Sequence, residues 1–250
     1  MKKIIKEISK KVIGNERPSL LLLVSLFANG HILIEDVPGV GKTLLATSIS
    51  KICNIDFARV QCTSDLLPGD ILGFNMFDIN TGEANYVKGP VMTNLLLVDE
   101  INRATPKTQS ALLEVMEEHN ISLDGKTFKV PEPFMVIATQ NPIENSGTFP
   151  LPEAQLDRFT MKISLGYPNF QDEIKMLELY KNPELSPSLD SIISRNSILS
   201  VQEQIKTVTV YKTVIEYITN MVVKTRSHPD VALGCSPRSS LALMRCAQSL

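Results

Sequence analysis

The chain has 250 residues, which is enough for one large domain or for a main domain with a smaller one attached. Its 25 Lys and Arg residues are balanced by 27 Asp and Glu residues, and the net charge of −2 argues against a dominant electrostatic attraction to nucleic acid or anionic lipid. The longest apolar run, Leu20 to Phe27, is too short to span a bilayer. No signal peptide is visible and the four cysteines are widely spaced, so we expect a cytoplasmic protein with reduced core thiols.

Short apolar strands alternate with helical segments over the first two thirds of the chain. The predicted strands span residues 31–35, 57–61, 95–98, 134–138 and 161–165, and the clearest helices between them span 43–52 and 106–118. The run at 95–98 is wholly apolar, as expected for a central parallel strand that is covered on both faces. This alternation predicts an α/β fold with a central parallel sheet.

Two stretches interrupt the alternation. Residues 65–92 carry the turn signals Pro68-Gly69, Asn80-Thr81-Gly82 and Gly89-Pro90, which predict an insert made of loops and a hairpin. Residues 119–131 place Asp124-Gly125 between two β-type runs, which is a strong hairpin signal.

The predicted strands cease near residues 166–169. Beyond this point the apolar periodicity indicates helices at 170–180, 201–205, 211–226 and from 239 onward. The sequence therefore predicts an α/β domain over residues 1–167 and a small all-α domain over residues 168–250. Because Leu250 falls inside an apolar-periodic stretch, we expect the helical domain to be incomplete and the chain to be part of a somewhat longer protein.

The sharpest motif is the string DVPGVGKT, which follows the first predicted strand and opens the next helix. This is the setting of a phosphate-binding loop, in which Gly39 and Gly41 let backbone N–H groups curl around a polyphosphate. Lys42 would reach the β- and γ-phosphates, and the hydroxyl of Thr43 would ligate Mg²⁺. Asp36 stands where such loops usually begin with glycine, and Asp tolerates unusual turn angles.

Polar residues follow two further strands. Asp99 and Glu100 end the apolar run at 95–98, so the pair is expected at the carboxyl edge of the sheet beside the loop. Asp99 would hold Mg²⁺ through water, and Glu100 would polarise the attacking water as a general base. Asn141 follows the strand at 134–138 and could position the water or the γ-phosphate. Taken alone, each feature is more typical of a solvated turn, and the phosphate loop favours the functional interpretation.

Two arginines are further candidates for contact with an anion. Arg158 lies near the predicted edge of the α/β domain, and Arg238 lies at the start of a helix in the all-α domain. An unpaired arginine at a helix N-terminus opposes the helix dipole, which hints at an anionic partner. The alternative for each arginine is an ordinary surface salt bridge.

In combination these motifs resemble those of the AAA+ ATPases, which are P-loop NTPases, and specifically those of the MoxR family. The matching segments are, in order, 36–43 (DVPGVGKT) for Walker A, 95–104 (LLLVDEINRA) for Walker B, 138–142 (ATQNP) for sensor 1, 149–159 (FPLPEAQLDRF) for the arginine-finger segment and 234–238 (GCSPR) for sensor 2. The segments at 65–92 and 119–131 resemble the helix-2 insert and the pre-sensor-1 hairpin of this clade. Both are candidates for contact with a client or partner protein, or for structural contacts that hold subunits together. The resemblance implies a three-layer AAA+ core followed by a helical lid.

The resemblance also implies how the site is shared. ATP and Mg²⁺ would lie between subunits of a ring, expected to be a hexamer. Arg158 would reach across the interface to the γ-phosphate of the neighbouring subunit, and Arg103 is a second candidate for that role. The residues expected to hold the nucleotide are Gly39, Val40, Gly41, Lys42, Thr43, Leu44, Asp99, Arg238, Ile13 and Gly14, the last two near adenine. Thr43 and Asp99 would contact the metal, and Glu100, Asn141 and Lys42 would act in catalysis with Arg158.

The resemblance implies that the chain remodels or matures partner proteins, often together with a protein that carries a von Willebrand factor A domain. A nucleic-acid-directed motor of the restriction-GTPase type is an alternative, because similar Walker B strings occur there, but no NKxD string is present and the net charge disfavours a DNA track. A scaffold that binds nucleotide without turnover is a third possibility, which the presence of Glu100, Asn141 and Arg158 disfavours.

Overall fold

The computed structural model describes residues 1–78, 83–142, 147–181 and 187–250. The first elements are two helices that lead into the sheet, in the order α1 (Lys2–Ile8), α2 (Glu16–Phe27), β1 (Ile32–Glu35), α3 (Lys42–Ile52) and β2 (Phe57–Gln61). The next elements are α4 (Pro68–Leu72), β3 (Gly73–Asp78), β4 (Glu83–Lys88), β5 (Leu95–Asp99), a 3₁₀ turn at Ile101–Arg103 and α5 (Pro106–Glu118). The α/β part ends with β6 (Asn120–Leu123), β7 (Lys126–Lys129), β8 (Met135–Gln140), α6 (Glu153–Leu156) and β9 (Met161–Ile163).

Five of these strands form one parallel sheet in the order β2-β5-β8-β1-β9. Strand β5 is buried along its whole length between β2 and β8. Because all five strands run in the same direction, the chain leaves β1, β2, β5 and β8 at one edge of the sheet, where ligands bind in open α/β folds. The predicted α/β fold with a central parallel sheet is confirmed.

Apolar clusters cover both faces of the sheet. One cluster combines side chains of α1, α2 and α3 with the sheet and includes Ile8, Leu23 and Ile49. The other combines α5 with the opposite face and includes Leu113 and Phe134. Each face of the sheet therefore buries its apolar side chains under helices, which gives three layers.

The segment at 65–92 contains α4 and the antiparallel pair β3–β4, and the predicted turn at 80–82 lies outside the described residues. The segment at 119–131 contains the antiparallel pair β6–β7. Its turn residues Asp124 and Gly125 have φ values of 48° and 76°, as a two-residue hairpin of this type requires. The two hairpins touch, because the rings of Tyr86 and Phe128 stack with centroids 4.2 Å apart.

The C-terminal part contains helices and no strand within its described residues, namely α7 (Phe170–Lys181), α8 (Arg195–Lys206), α9 (Lys212–Ser227) and α10 (Pro237–Ser249). Helix α8 begins earlier than its predicted range of 201–205, because the Ser194 side chain caps it by accepting a hydrogen bond from the Ser197 N–H. Gln202 of α8 donates to the carbonyl of Leu26 in α2 over 2.7 Å, which fastens this part to the α/β core.

Three cysteines, Cys53, Cys62 and Cys246, are buried, as expected for core thiols, whereas Cys235 is exposed, contrary to that expectation. Burial raises the pKa of Cys53 and Cys62 to about 12 and that of Cys246 to about 11, which keeps these thiols protonated and unreactive. No helix within the described residues is long and apolar enough to cross a membrane.

Candidate functional site

The loop between β1 and α3 adopts the backbone conformation that its glycines permit. Gly39 and Gly41 have φ values of 87° and 88°, a left-handed region that side chains with a Cβ rarely enter. Helix α3 begins at Lys42 directly after Gly41, and no side chain caps its first N–H groups. An uncapped helix start preceded by two left-handed glycines leaves N–H groups free to donate hydrogen bonds to a bound anion.

Lys42 is held inside this loop. Its Nζ donates a hydrogen bond to the backbone carbonyl of Asp36 over 2.9 Å. Burial lowers the pKa of Lys42 below its usual range, and the carboxylates of Asp36, Asp99 and Glu100 act in the opposite direction. The ammonium group is thus tethered close to the loop with three carboxylates nearby.

The acidic pair stands at the end of β5, as predicted. Asp99 is largely buried, and its Oδ2 accepts a hydrogen bond from Nε of Arg59 over 2.7 Å. The Thr139 hydroxyl donates to Oδ1 of Asp99 over 3.2 Å and accepts the backbone N–H of Glu100 over 3.0 Å. One buried hydroxyl from the neighbouring strand β8 therefore fixes both acidic residues.

Glu100 has an uncommon backbone conformation for a residue with a side chain. Its φ of 55° and ψ of 51° lie in the left-handed region, which costs about 1–3 kcal/mol and recurs at functional sites. Its carboxylate accepts a hydrogen bond from Arg103 over 3.3 Å. Arg103, a candidate for acting on a neighbouring subunit, is thus paired with Glu100 of its own chain.

A cavity of about 410 Å³ brings these groups together. Eight of the residues predicted from the sequence line it, namely Gly39, Gly41, Lys42, Thr43, Leu44, Asp99, Glu100 and Asn141. Its lining also includes Arg59, Gln61 and Thr139, which the sequence analysis did not single out. Arg59 and Gln61 are two positions apart on β2, so their side chains lie on the same face of the sheet. The register pairs Gln61 with Asp99 of β5. The polar residues of β2 are visible in the sequence, but they belong to the site only because β2 lies beside β5 in the sheet.

Other predicted residues lie elsewhere. Val40 belongs to the loop but does not line the cavity. Ile13 and Gly14 do not line it either, and a Cβ on Gly14 would stand 2.9 Å from Oδ2 of Asp172, so this turn packs against the first turn of α7. The segment predicted near adenine thus lies where the α/β core meets the helical part.

Arg158 and Arg238 line a second cavity, of about 680 Å³. Both guanidinium groups pair with the carboxylate of Glu117 near the end of α5, with Nη2 of Arg158 3.3 Å from Oε2. Both guanidinium groups thus share one carboxylate. The predicted arginine of the α/β core and the predicted arginine of the helical part are thus brought to one place.

Asp157 fastens the same junction. Its carboxylate accepts hydrogen bonds from the hydroxyl of Ser236 over 2.7 and 2.9 Å and from that of Ser239 over 3.1 Å. Ser236 also caps α10. The start of α10, and with it Arg238, is therefore held against the segment that carries Arg158.

Comparison with known proteins agrees with this fold. Residues 31–161 match the model of the ATPase family associated with various cellular activities (AAA). The chain is 40% identical over 259 residues to Chaperone MoxR1 of Mycobacterium tuberculosis, an alignment that covers all of this chain and 68% of that protein. It is 46% identical over 247 residues to the uncharacterized protein YeaC of Bacillus subtilis, covering 99% of this chain and 77% of that one. The chain therefore belongs to the MoxR family of AAA+ ATPases.

A solved structure supports the same assignment. The crystal structure of a protein from Cytophaga hutchinsonii superposes with a TM-score of 0.90 at 38% sequence identity. The superposition covers 99% of this chain and 78% of that one. The similarity thus includes the helical part as well as the α/β core.

Proposed function

We propose that the chain binds ATP with Mg²⁺ at the 410 Å³ cavity and hydrolyses the nucleotide to ADP and phosphate. The observation that carries this proposal is the convergence of an uncapped helix start, Lys42 and the pair Asp99–Glu100 on one cavity. The first two groups suit a polyphosphate, and the acidic pair suits a metal ion and an attacking water. Membership of an ATPase family supports the same activity.

The residues present fit a nucleotide-bound Mg²⁺ better than a metal held by protein alone. Within the described ranges no group of three or more His, Cys, Asp or Glu side chains could hold a metal ion. Thr43 and Asp99 both line the cavity and offer oxygen ligands, and Mg²⁺ typically takes the remainder from phosphates and water. When bound, the ion would neutralise charge on the phosphates.

The protein groups would divide the work as follows. Lys42 exchanges the Asp36 carbonyl for phosphate oxygens, and Glu100 accepts the proton of the attacking water. Asn141 orients that water or the γ-phosphate from the end of β8. Thr139 holds Asp99 and Glu100 in fixed relative positions, because its hydroxyl forms a hydrogen bond with each of them.

We further propose that the chain works in a ring, a hexamer, in which Arg158 acts on the nucleotide of the neighbouring subunit. Arg158 and Arg238 line a cavity other than that of their own phosphate loop, which supports action outside their own site. Because Glu117 holds both arginines together, we propose that Arg238 acts beside Arg158. Guanidinium groups are suited to the negative charge that develops on a transferred phosphoryl group.

The energy of hydrolysis would serve to remodel partner proteins. One relative carries the name chaperone, which supports this role, and a protein with a von Willebrand factor A domain is the partner class that the family resemblance implies. The exposed apolar side chains Phe74 and Met76 on β3 make the hairpin β3–β4 a candidate surface for such a client.

Phosphate release and the binding of a fluorescent ATP analogue test the proposed activity. Lys42→Ala should lose nucleotide binding, whereas Glu100→Gln should retain binding and lose turnover by at least about a hundredfold, because it removes the general base. Lys51→Ala, which removes an exposed lysine from the same helix, is the matched control and should behave as wild type. Turnover by Glu100→Gln at the wild-type rate would contradict the assignment of the base.

A further inference from the structure

The carboxylate of Asp36 does not face the nucleotide cavity. Its side chain is only 7% exposed and does not line the 410 Å³ cavity. Oδ2 instead accepts three hydrogen bonds from the segment that joins β9 to α7, given by the N–H of Leu165 over 2.6 Å, the N–H of Gly166 over 2.8 Å and the hydroxyl of Ser164 over 3.1 Å. The first residue of the phosphate loop is thus bonded to the linker that leads into the helical part.

These bonds favour the charged form of Asp36. Burial alone would raise the pKa of this carboxyl group, but the N–H groups of Gly166 and Leu165 and the hydroxyl of Ser164 outweigh that effect, so the pKa lies below its usual range. Hydrogen bonds to an ionised acceptor are roughly twice as strong as neutral ones. The attachment is therefore strong for a contact made by one side chain.

The same residue also holds the catalytic lysine, since the backbone carbonyl of Asp36 accepts the hydrogen bond of Lys42. Asp36 therefore lies between two partners, Lys42 on its main chain and the linker on its side chain. A glycine at this position would keep the first contact and lose the second. This explains in physical terms what the sequence departure at Asp36 provides.

We propose that Asp36 is a positioning residue that couples occupation of the phosphate loop to the orientation of the helical part. When Lys42 leaves the Asp36 carbonyl for a phosphate, the first residue of the loop is released on one side. The linker moves with it, because three hydrogen bonds tie the carboxylate to residues 164–166. The movement on nucleotide binding rests on the proposed ATP binding, whereas the attachment of Asp36 to the linker does not.

The distance between the two parts can be measured on the full chain by double electron–electron resonance. Cys235 is the exposed thiol of the helical part, and Cys53, Cys62 and Cys246 are buried, so a spin label will attach selectively. A second label is introduced through Lys51→Cys, at an exposed position of α3. Distances are recorded without nucleotide and with a non-hydrolysable ATP analogue.

In Asp36→Gly we expect a broader distance distribution without nucleotide and loss of the shift caused by the analogue. Binding of a fluorescent ATP analogue should stay within about threefold of wild type, because the carboxylate does not line the cavity. Turnover should fall about tenfold at unchanged KM, within the usual range of coupling between sites. Asp36→Asn, whose amide oxygen can still accept from the linker, should restore most of the narrow distribution.

Gly166→Ala approaches the same contact from the other side. Gly166 has a φ of 70° and open space around the position of a Cβ, so alanine disturbs the linker backbone without a clash. We expect this variant to broaden the distribution as Asp36→Gly does, and it carries the test if Asp36→Gly does not fold. Wild-type distributions in both variants would overturn the inference. A wild-type chain that binds no ATP analogue would instead overturn the proposed function, while the nucleotide-free comparison still decides the role of Asp36.

Discussion

Nε of Arg59 lies 2.7 Å from Oδ2 of Asp99, so the carboxylate expected to serve Mg²⁺ is already paired with a cation of its own chain. Arg59 is on β2 and Asp99 ends β5, and the two side chains face the same cavity. The guanidinium group is half exposed, whereas the carboxylate is buried. A metal ion that approaches Asp99 must therefore compete with Arg59.

Removing this competitor should make the metal bind more readily. We expect Arg59→Ala to lower the Mg²⁺ concentration that gives half-maximal turnover by up to about fivefold, since a partly exposed ion pair is worth about 0.2–1 kcal/mol. Magnesium titrations of phosphate release measure this midpoint. Arg17→Ala, which removes an exposed arginine from α2, is the control for a general change of charge. A higher midpoint in Arg59→Ala would show that Arg59 assists the metal.

Thr139 offers a sharper test, because valine has the same shape and lacks the hydroxyl. Thr139→Val leaves the N–H of Glu100 without its hydroxyl partner and frees one oxygen of Asp99, so the stability should fall by about 1–3 kcal/mol. Turnover should fall about tenfold, with nucleotide affinity nearly unchanged. Thr139→Ser keeps the hydroxyl and should retain most of the activity. Equal losses in the valine and serine variants would point to packing as the cause.

Mixing of inactive variants tests whether Arg158 acts on a neighbour. Arg158→Ala and Glu100→Gln should each be inactive alone, and mixed rings should recover part of the turnover, because a Glu100→Gln subunit can supply its arginine to a subunit with an intact base. The control replaces Glu100→Gln by the double variant Glu100→Gln/Arg158→Ala, which has no arginine to supply. Recovery with the double variant, or none with the single one, would place Arg158 outside this role.

The burial of His31 should make the stability of the fold depend on pH. It is buried, with Nε2 2.9 Å from the carbonyl of Met116 and Nδ1 accepting the N–H of Val136 over 3.0 Å, so the ring is held neutral. Burial lowers its pKa to about 4, whereas an unfolded histidine titrates near 6.5. The stability provided by the neutral ring is thus complete above about pH 6.5 and is lost as the pH falls toward 4.

Between pH 7 and pH 5 this linkage should cost about 2 kcal/mol of unfolding free energy. Urea denaturation at both pH values measures the loss. In His31→Gln the overall stability should be lower, but the difference between the two pH values should shrink by about that amount. An unchanged difference would mean that other groups cause the acid sensitivity.

Much of the site followed from local sequence. The glycines of the loop, Lys42 and the pair Asp99–Glu100 each stand next to a strand whose apolar run was clear, and parallel strands bring such ends to one edge. The α/β fold was accessible for the same reason, since it needs only neighbours in the chain and one general property of parallel sheets. The MoxR assignment followed instead from the resemblance of the motif strings to those of a known family.

The remaining residues depend on contacts between distant segments. Arg59 and Thr139 belong to the site because β2 and β8 lie on either side of β5. The order of strands in the sheet cannot be predicted from the sequence of any single strand. The shared partner Glu117 joins Arg158 to Arg238, and it lies 121 residues before Arg238 in the sequence. Asp36 was noticed as a departure from glycine, yet its bonds to the linker could be found only in the folded chain.

Helix α5 connects the acidic pair to the two arginines, which matters for the proposed ring. It begins just after Asp99 and Glu100, where Gln109 fastens it to the carbonyl of Ile101, and it reaches Glu117 near its far end. Its 13 residues form a helix about 20 Å long that connects these two places. In the proposed ring, a displacement beside the acidic pair of one subunit would therefore reach the two arginines at the opposite end of α5, and each subunit would act on the next in the same rotational direction.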